Sequence, residues 1–224
     1  NMRLLACRDV EARNVKVVGW RRNTDGINPV SSNGLRIVDN FIMGQDDGIS
    51  IKGNARHSPE VTDIEIVGNV FWQYFMRSIV VGGEMSMIER VAGIRVRDND
   101  ILHSSYNPRH PRDAALSVWN VDSATISDVV FEDIRVENCH RLVRIGVAVN
   151  KHSNDDKRGR IEGIVFRNIV AYNGPAIVEI TGFDEEHDVK DIRFENIVVG
   201  GRRVKDPEEI FVVTNEHVSG VVFD

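Results

Sequence analysis

Ile164-Val165-Phe166-Arg167-Asn168-Ile169 returns 28 residues later as Ile192-Arg193-Phe194-Glu195-Asn196-Ile197, and Val221-Val222-Phe223 follows after a further 29. Apolar residues alternating over three positions, next to Asp, Asn or Gly, read as a short strand and not as a helix. The same signature stands at Val15-Lys16-Val17, Leu35-Arg36-Ile37, Ile64-Glu65-Ile66, Ile94-Arg95-Val96 and Val129-Val130-Phe131. In chain order the spacings are 20, 29, 30, 35, 35, 28 and 29 residues. Behind every copy except the first and last lies a second strand-like segment: Ile49-Ser50-Ile51, Ile79-Val80-Val81, Leu116-Ser117-Val118, Val143-Arg144-Ile145, Ile177-Val178-Glu179-Ile180 and Ile210-Phe211-Val212. A unit this small cannot bury its own apolar face, so it must stack on its neighbours. The fold expected is all-β: a single-stranded, right-handed parallel β-helix of about seven rungs, with residues 1–224 forming one domain.

An Asn recurs just past the first strand, at Asn40, Asn69, Asn99, Asn168 and Asn196. Stacked amides can bond along a coil axis; alternatively, Asn only tolerates the turn conformation. Either reading needs a turn at the same place in each rung. The pattern reaches both ends of the sequence without caps, so a longer chain, incomplete here at its N-terminus, is expected. Longer rungs carry insertions, Ser104-Ser105-Tyr106-Asn107-Pro108-Arg109-His110-Pro111 and Asn150-Lys151-His152-Ser153-Asn154-Asp155-Asp156-Lys157, which in a solenoid tend to lie on the binding face.

Composition narrows the function classes. Hydrophobic residues make up 42% and charged residues 28% of the 224, which fits a globular chain. A net charge of −6 argues against nucleic acid as a partner. No apolar run approaches the roughly 20 residues that span a bilayer, so no membrane partner is expected. Asn1-Met2-Arg3 opens straight into patterned sequence without a signal peptide. A cytoplasmic location follows, unless a missing N-terminal segment directs secretion or periplasmic export. Cys7 and Cys139 are expected as buried free thiols. There is no metal-binding spacing of Cys and His, no phosphate-cradling Gly loop and no nucleophile elbow, so no cofactor is expected.

Chemistry concentrates between Asn23 and Lys52. Asn23-Thr24-Asp25-Gly26-Ile27 is followed by Gly44-Gln45-Asp46-Asp47-Gly48-Ile49-Ser50-Ile51-Lys52, with 21 residues between Asp25 and Asp46. One rung of that length would stack the two acidic turns roughly 4.8 Å apart. Crowded carboxylates suit glycoside hydrolysis, where one protonates the leaving oxygen and another activates water. Taken singly, Asp25 is also a turn residue, and Asp46-Asp47 a solvated pair or a calcium site. With Ile49 and Ile51 inward, strict alternation buries Asp47, which is costly unless it is paired or the turn breaks phase. Lys52 and Arg77 could supply charge beside these acids, or point to solvent; Glu84 could join them or cap the turn after Gly82-Gly83.

Asn23-Thr24-Asp25-Gly26 with Gln45-Asp46-Asp47-Gly48-Ile49-Ser50-Ile51-Lys52 resembles the N-T-D-G and G-D-D-x-I-x-I signature of glycoside hydrolase family 28, the polygalacturonases. Val80-Val81-Gly82-Gly83-Glu84-Met85-Ser86 is similar to the V-I-G-S-E-M-S run of bacterial members. The resemblance covers roughly residues 10–135 and implies a pectin-lyase-like β-helix and inverting hydrolysis of a polysaccharide or oligosaccharide. By position, it makes Asp46 the general acid, with Asp25 and Asp47 holding the water. Two family blocks are absent: Phe75-Met76-Arg77-Ser78 stands where a G-H-G is expected, and Ala115-Leu116-Ser117-Val118-Trp119 where an R-I-K grips the uronate. Altered substrate recognition is expected, with Asn23, Lys52, Arg77, Glu84 and Trp119 binding substrate. Neutral sugars become plausible, stacking on Trp119, Trp72 or Tyr74, although Trp72 reads equally well as core. Family 49, the dextranases and isopullulanase, is the related alternative. Spacing alone assigns no role to His103, His110 or His140, and a surface or loop position is expected for each. The rivals are a non-catalytic carbohydrate-binding solenoid and a calcium-dependent polysaccharide lyase.

Overall fold

The computed structural model describes residues 1–104 and 114–224. The chain winds as an all-β, right-handed parallel β-helix. Its first face stacks eight strands in parallel: Met2–Leu5, Ile27–Val30, Ile49–Asn54, Ile79–Ser86, Leu116–Asn120, Arg141–Val147, Ile177–Thr181 and Val212–Thr214. The second face runs Glu11–Arg13, Leu35–Val38, Glu60–Val67, Arg90–Arg97, Thr125–Asn138, Ile161–Asn173, Val189–Glu195 and Val218–Phe223. Eight strands on each face give seven rung-to-rung steps. A third face, absent from the two-strand reading of the repeat, carries Lys16–Val18, Phe41–Gly44, Val70–Gln73 and Asp100–Ser104. It continues into the second halves of Thr125–Asn138 and Ile161–Asn173.

The first copy of the repeat is corrected. Val15-Lys16-Val17 does not head the Leu35 column: Lys16–Val18 pairs with Phe41–Gly44, and Glu11–Arg13 pairs with Leu35–Val38. The register there is 25 residues, Ala12 opposite Ile37, and not 20. Second- and third-face strands show the same alternation, so a three-residue pattern cannot tell them apart.

Turn chemistry sets where the chain bends. Just before the first two second-face strands and inside each later one stands one residue of a column, Asp9, Gly34, Asp63, Gly93, Asp128, Gly163, Asp191 and Gly220, all with φ between +50° and +70°. At Gly34, Gly93 and Gly220 the side chain of the preceding Asp in the column occupies the space a Cβ would need. A Cβ on Gly34 would lie 2.4 Å from Asp9 Oδ1, and one on Gly93 2.9 Å from Asp63 Oδ1. Between the second and third faces, Asn40, Asn69 and Asn99 form a buried amide ladder. Asn40 Nδ2 donates to Asn69 Oδ1 at 2.8 Å, and Asn69 Nδ2 to Asn99 Oδ1 at 3.0 Å. Asn168 and Asn196 belong to a different column. They are the left-handed residues themselves, φ +52° and +54°, at the site of Asp39 and Asp98 one position earlier. There Ile134, Ile169 and Ile197 take over the ladder position.

The interior is a set of stacked aliphatic columns, with Phe131, Phe166, Phe194 and Phe223 lying ring on ring at 4.9, 5.0 and 4.5 Å. Ile197–Val199 and Arg202–Val204 form an antiparallel hairpin across Gly200-Gly201, both with positive φ. The cysteines form no disulfide; Cys139 is buried, while Cys7 is only half-buried. Residues 105–111 of the first insertion, His110 among them, lie outside the described residues. Among the described residues no helix is long and apolar enough to cross a membrane.

Candidate active site

The acidic turns meet on the first face. Gly26 N donates to Asp47 O at 2.8 Å and Ile27 N to Gly48 O at 2.9 Å, while Gly48 N donates to Arg77 O at 2.9 Å. Ile27, Ile49 and Ile79 share one column, so two positions earlier Asp25, Asp47 and Arg77 do too. Asp25 thus stacks on Asp47, 22 residues on, with Asp46 displaced to one side. Gly26 and Gly48 allow the close approach: a Cβ on Gly26 would meet Gly48 O at 2.3 Å.

Each stacked acid has a cation. Arg77 grips Asp47 with two parallel bonds, Nη2 to Oδ2 at 2.6 Å and Nε to Oδ1 at 2.8 Å, and its backbone N adds a third at 3.2 Å. Asp47 is 3% exposed, so the burial anticipated from alternation is real and is met by pairing. Lys52 Nζ lies 3.1 Å from Asp25 Oδ2, which also accepts from Asn28 Nδ2 at 2.7 Å. Burial works against the Lys52 charge, but Asp25 and Glu84 outweigh it and raise its pKa. Asp46 differs. Its Oδ1 accepts from Asp47 N at 3.0 Å. Burial, then the charges of Asp47 and Asp25, push it up to about 6.

The opposite wall comes from later rungs. Between Val81 and Met85 the strand Ile79–Ser86 bulges against Ile51 and Gly53, with Gly82 and Gly83 at φ +105° and +93°. The bulge brings Glu84 to 3.5 Å from Lys52 Nζ and 3.8 Å from His152 Nδ1. His152 sits on the second insertion, pinned by the fully buried Asp122, whose carboxylate accepts from Met85 N at 2.8 Å and from Asn154 N and Asp155 N. The result is a groove of about 840 Å³ lined by Asn23, Asp25, Asp46, Asp47, Lys52, Arg77, Glu84 and Trp119, together with Arg144, Asn150, Lys151 and His152.

All eight site residues expected from the sequence therefore line one groove. Two expectations are corrected. Trp72 and Tyr74 do not line it; they point outward from the third face, where Trp72 is 39% exposed and so not core. Trp119 is no open platform: it is 9% exposed, and the Arg144 guanidinium lies 3.9 Å over its ring. Arg144 was not picked out as a site residue. It occupies the outward column of Ser50, Val80 and Ser117, one rung past the place where an Arg was sought. The alternation of Val143-Arg144-Ile145 holds that signal. Arg144 Nε donates to Glu179 at 3.1 Å, and burial lowers its pKa against that partner. Lys151 and His152 depend on the fold of an insertion, for which alternation gives no rule.

A parallel β-helix with a carboxylate groove on its first face defines the class: carbohydrate-active solenoids. The family model of glycosyl hydrolases family 28 matches residues 1–218, and the chain belongs to that family. Three solved structures share the fold. The hyperthermoactive exopolygalacturonase of Thermotoga maritima is 19% identical with a TM-score of 0.71, over 91% of this chain and 50% of that one. The Agl-KA catalytic domain is 13% identical with a TM-score of 0.61, covering 97% and 42%. The polygalacturonase of Erwinia carotovora ssp. carotovora is 16% identical with a TM-score of 0.57, covering 96% and 52%. The chain spans about half the length of these structures. No curated protein sequence matches it.

Proposed function

We propose that the groove hydrolyses an O-glycosidic bond of a polysaccharide or oligosaccharide with inversion, residues 1–224 acting as one β-helical unit. Asp46 donates its proton to the leaving glycosidic oxygen. Water held by Asp25 and Asp47 attacks the anomeric carbon from the opposite side, and its proton passes to that carboxylate pair. The observation that carries this reading is the division of charge. Asp25 and Asp47 each have a cation, from Lys52 and Arg77, and Asp46 alone is held up to about 6. Asp46 therefore keeps its proton to higher pH than an ordinary carboxyl, as the acid role requires, while the two paired carboxylates lie where water would be held. Proton NMR of the first product formed tests it. The reading expects new reducing ends of inverted anomeric configuration; retained configuration, or an unsaturated product absorbing in the ultraviolet, contradicts it.

Substrate recognition differs from the polygalacturonase pattern, because Ser117 and Trp119 stand where Arg and Lys are expected, which favours neutral sugars. One observation favours a second reading, an acidic sugar bound further along the groove: Arg144 and Lys151 line it from the following rungs. The two part on a comparison of dextran with polygalacturonate. On the acidic reading Arg144→Gln raises KM for polygalacturonate severalfold; turnover of dextran alone favours the neutral one.

A further inference from the structure

The third face carries aromatic rings that neither the core nor the groove uses. Trp20 is 57% exposed, Tyr74 44% and Trp72 39%. The rings touch in a row: Trp20 to Tyr74 at 4.8 Å, Tyr74 to His103 at 5.8 Å and His103 to Trp72 at 5.9 Å between centroids. The row crosses four rungs, about 14 Å along the coil axis at strand spacing. Contiguous exposed rings on a solvated sheet contribute little to folding and mark a contact surface.

We infer that this strip of Trp20, Tyr74, His103 and Trp72 is a glycan-binding platform that receives polysaccharide chain leaving the groove, an inference resting on the hydrolase reading above. Two observations select a glycan. The strip joins the groove at its rim: Trp20 precedes Arg22 and Asn23, and Tyr74 precedes Phe75 and Met76, all four lining the groove. A polymer held across the carboxylates and leaving at this corner runs onto the rings. The chemistry also fits. Pyranose C–H faces pack on aromatic rings, while the indole N–H, phenol O–H and imidazole at the edges bond to hydroxyls. Burial lowers the His103 pKa, which disfavours a charge beside the rings.

The test is the ratio of affinity for a polymer to affinity for its trisaccharide, measured by calorimetry with the inactive Asp46→Asn protein on polygalacturonate and dextran and their trimers. The trimer fits within the groove; the polymer extends past it. With Trp20→Ala/Tyr74→Ala the ratio is expected to fall about tenfold for whichever polymer binds. Trp72→Phe, which keeps a ring, is expected to hold it within twofold. The substituted side chains point outward, and unchanged thermal melts verify the fold. A polymer that binds with an unchanged ratio overturns the platform alone, as does loss of self-association without a change in ratio, which would assign the strip to a second copy of the chain. Failure of the Asp46→Asn protein to bind either polymer overturns the platform, while the hydrolase reading falls separately, if the parent protein releases no reducing ends from a panel of pectic and neutral polysaccharides.

Discussion

Asp46 is set apart by what its neighbours lack and have. Three carboxylates converge from two rungs, and the two that stack directly are paired with Lys52 and Arg77. The third is left with burial and two negative neighbours, and its pKa rises to about 6. On the proposed mechanism, activity is expected to fall as pH rises through about 6, when Asp46 loses the proton it would donate. Arg77 pulls the Asp46 pKa down, so weakening that charge moves the alkaline limb upward. Arg77→Lys, which keeps a cation but loses the fork, should shift the limb little in a pH–rate profile, whereas Arg77→Gln should shift it clearly upward. Arg77→Gln also leaves Asp47 buried without its partner, at a cost of about 3–5 kcal/mol in denaturant unfolding. Stability follows the same linkage with its own sign. The folded-state pKa of Asp46 lies above the unfolded value of 3.8, so folding with an ionised Asp46 is penalised above that pH, and fully so beyond 6. Asp46→Asn removes the penalty. It should stabilise the protein at pH 7 by about 1–2 kcal/mol after discounting for solvent screening, and by nothing below about pH 3.5. A thermal melt at both pH values checks this.

At the scale of the element, the sequence was legible where alternation and turn residues agree. The first and second faces were readable because positive φ favours Gly or Asp at one position of each second-face rung, and stacking requires inward Ile, Val and Phe. The third face was hidden because its strands are short and end against the Asn ladder, so Asn40 and Asn69 read as the close of one strand instead of the hinge between two. Asn168 and Asn196, one position earlier in their rungs, passed for the same signal; they form a separate, exposed ladder, Asn196 Nδ2 donating to Asn168 Oδ1 at 2.9 Å and Asn168 Nδ2 to Asp133 Oδ1 at 2.8 Å. Asn69 accepts from Asn40 N at 3.0 Å and Nδ2 at 2.8 Å, and donates to Ile37 O at 2.9 Å. Asn69→Leu, although of similar volume, should cost about 2–3 kcal/mol in urea unfolding, because it strands buried polar groups on both sides. Ile169→Val, in the apolar half of the same column, should cost about 1 kcal/mol.

Over the whole molecule, the solenoid turns residues far apart in sequence into one surface. Asp25, Asp46, Arg77, Arg144 and His152 come from five different stretches, each placed by register and not by proximity in the chain. This explains why the carboxylates, Arg77 and Glu84 were visible beforehand while Arg144, Lys151 and His152 on the far wall were not. The near wall follows from a constant rung step. The far wall depends on the Gly82-Gly83 bulge and an insertion pinned by Asp122, and local pattern does not encode those long-range contacts. The family-28 match and the shared fold agree with a groove built for glycan chemistry, and the proposed mechanism makes that chemistry rest on the Asp46 carboxyl. The most direct measurement is release of reducing ends by Asp46→Asn against the parent protein, on the best substrate from a panel of pectic and neutral polysaccharides at pH 5. The account predicts a fall of about 10²–10⁴-fold with folding and polymer binding retained; undiminished release would contradict it.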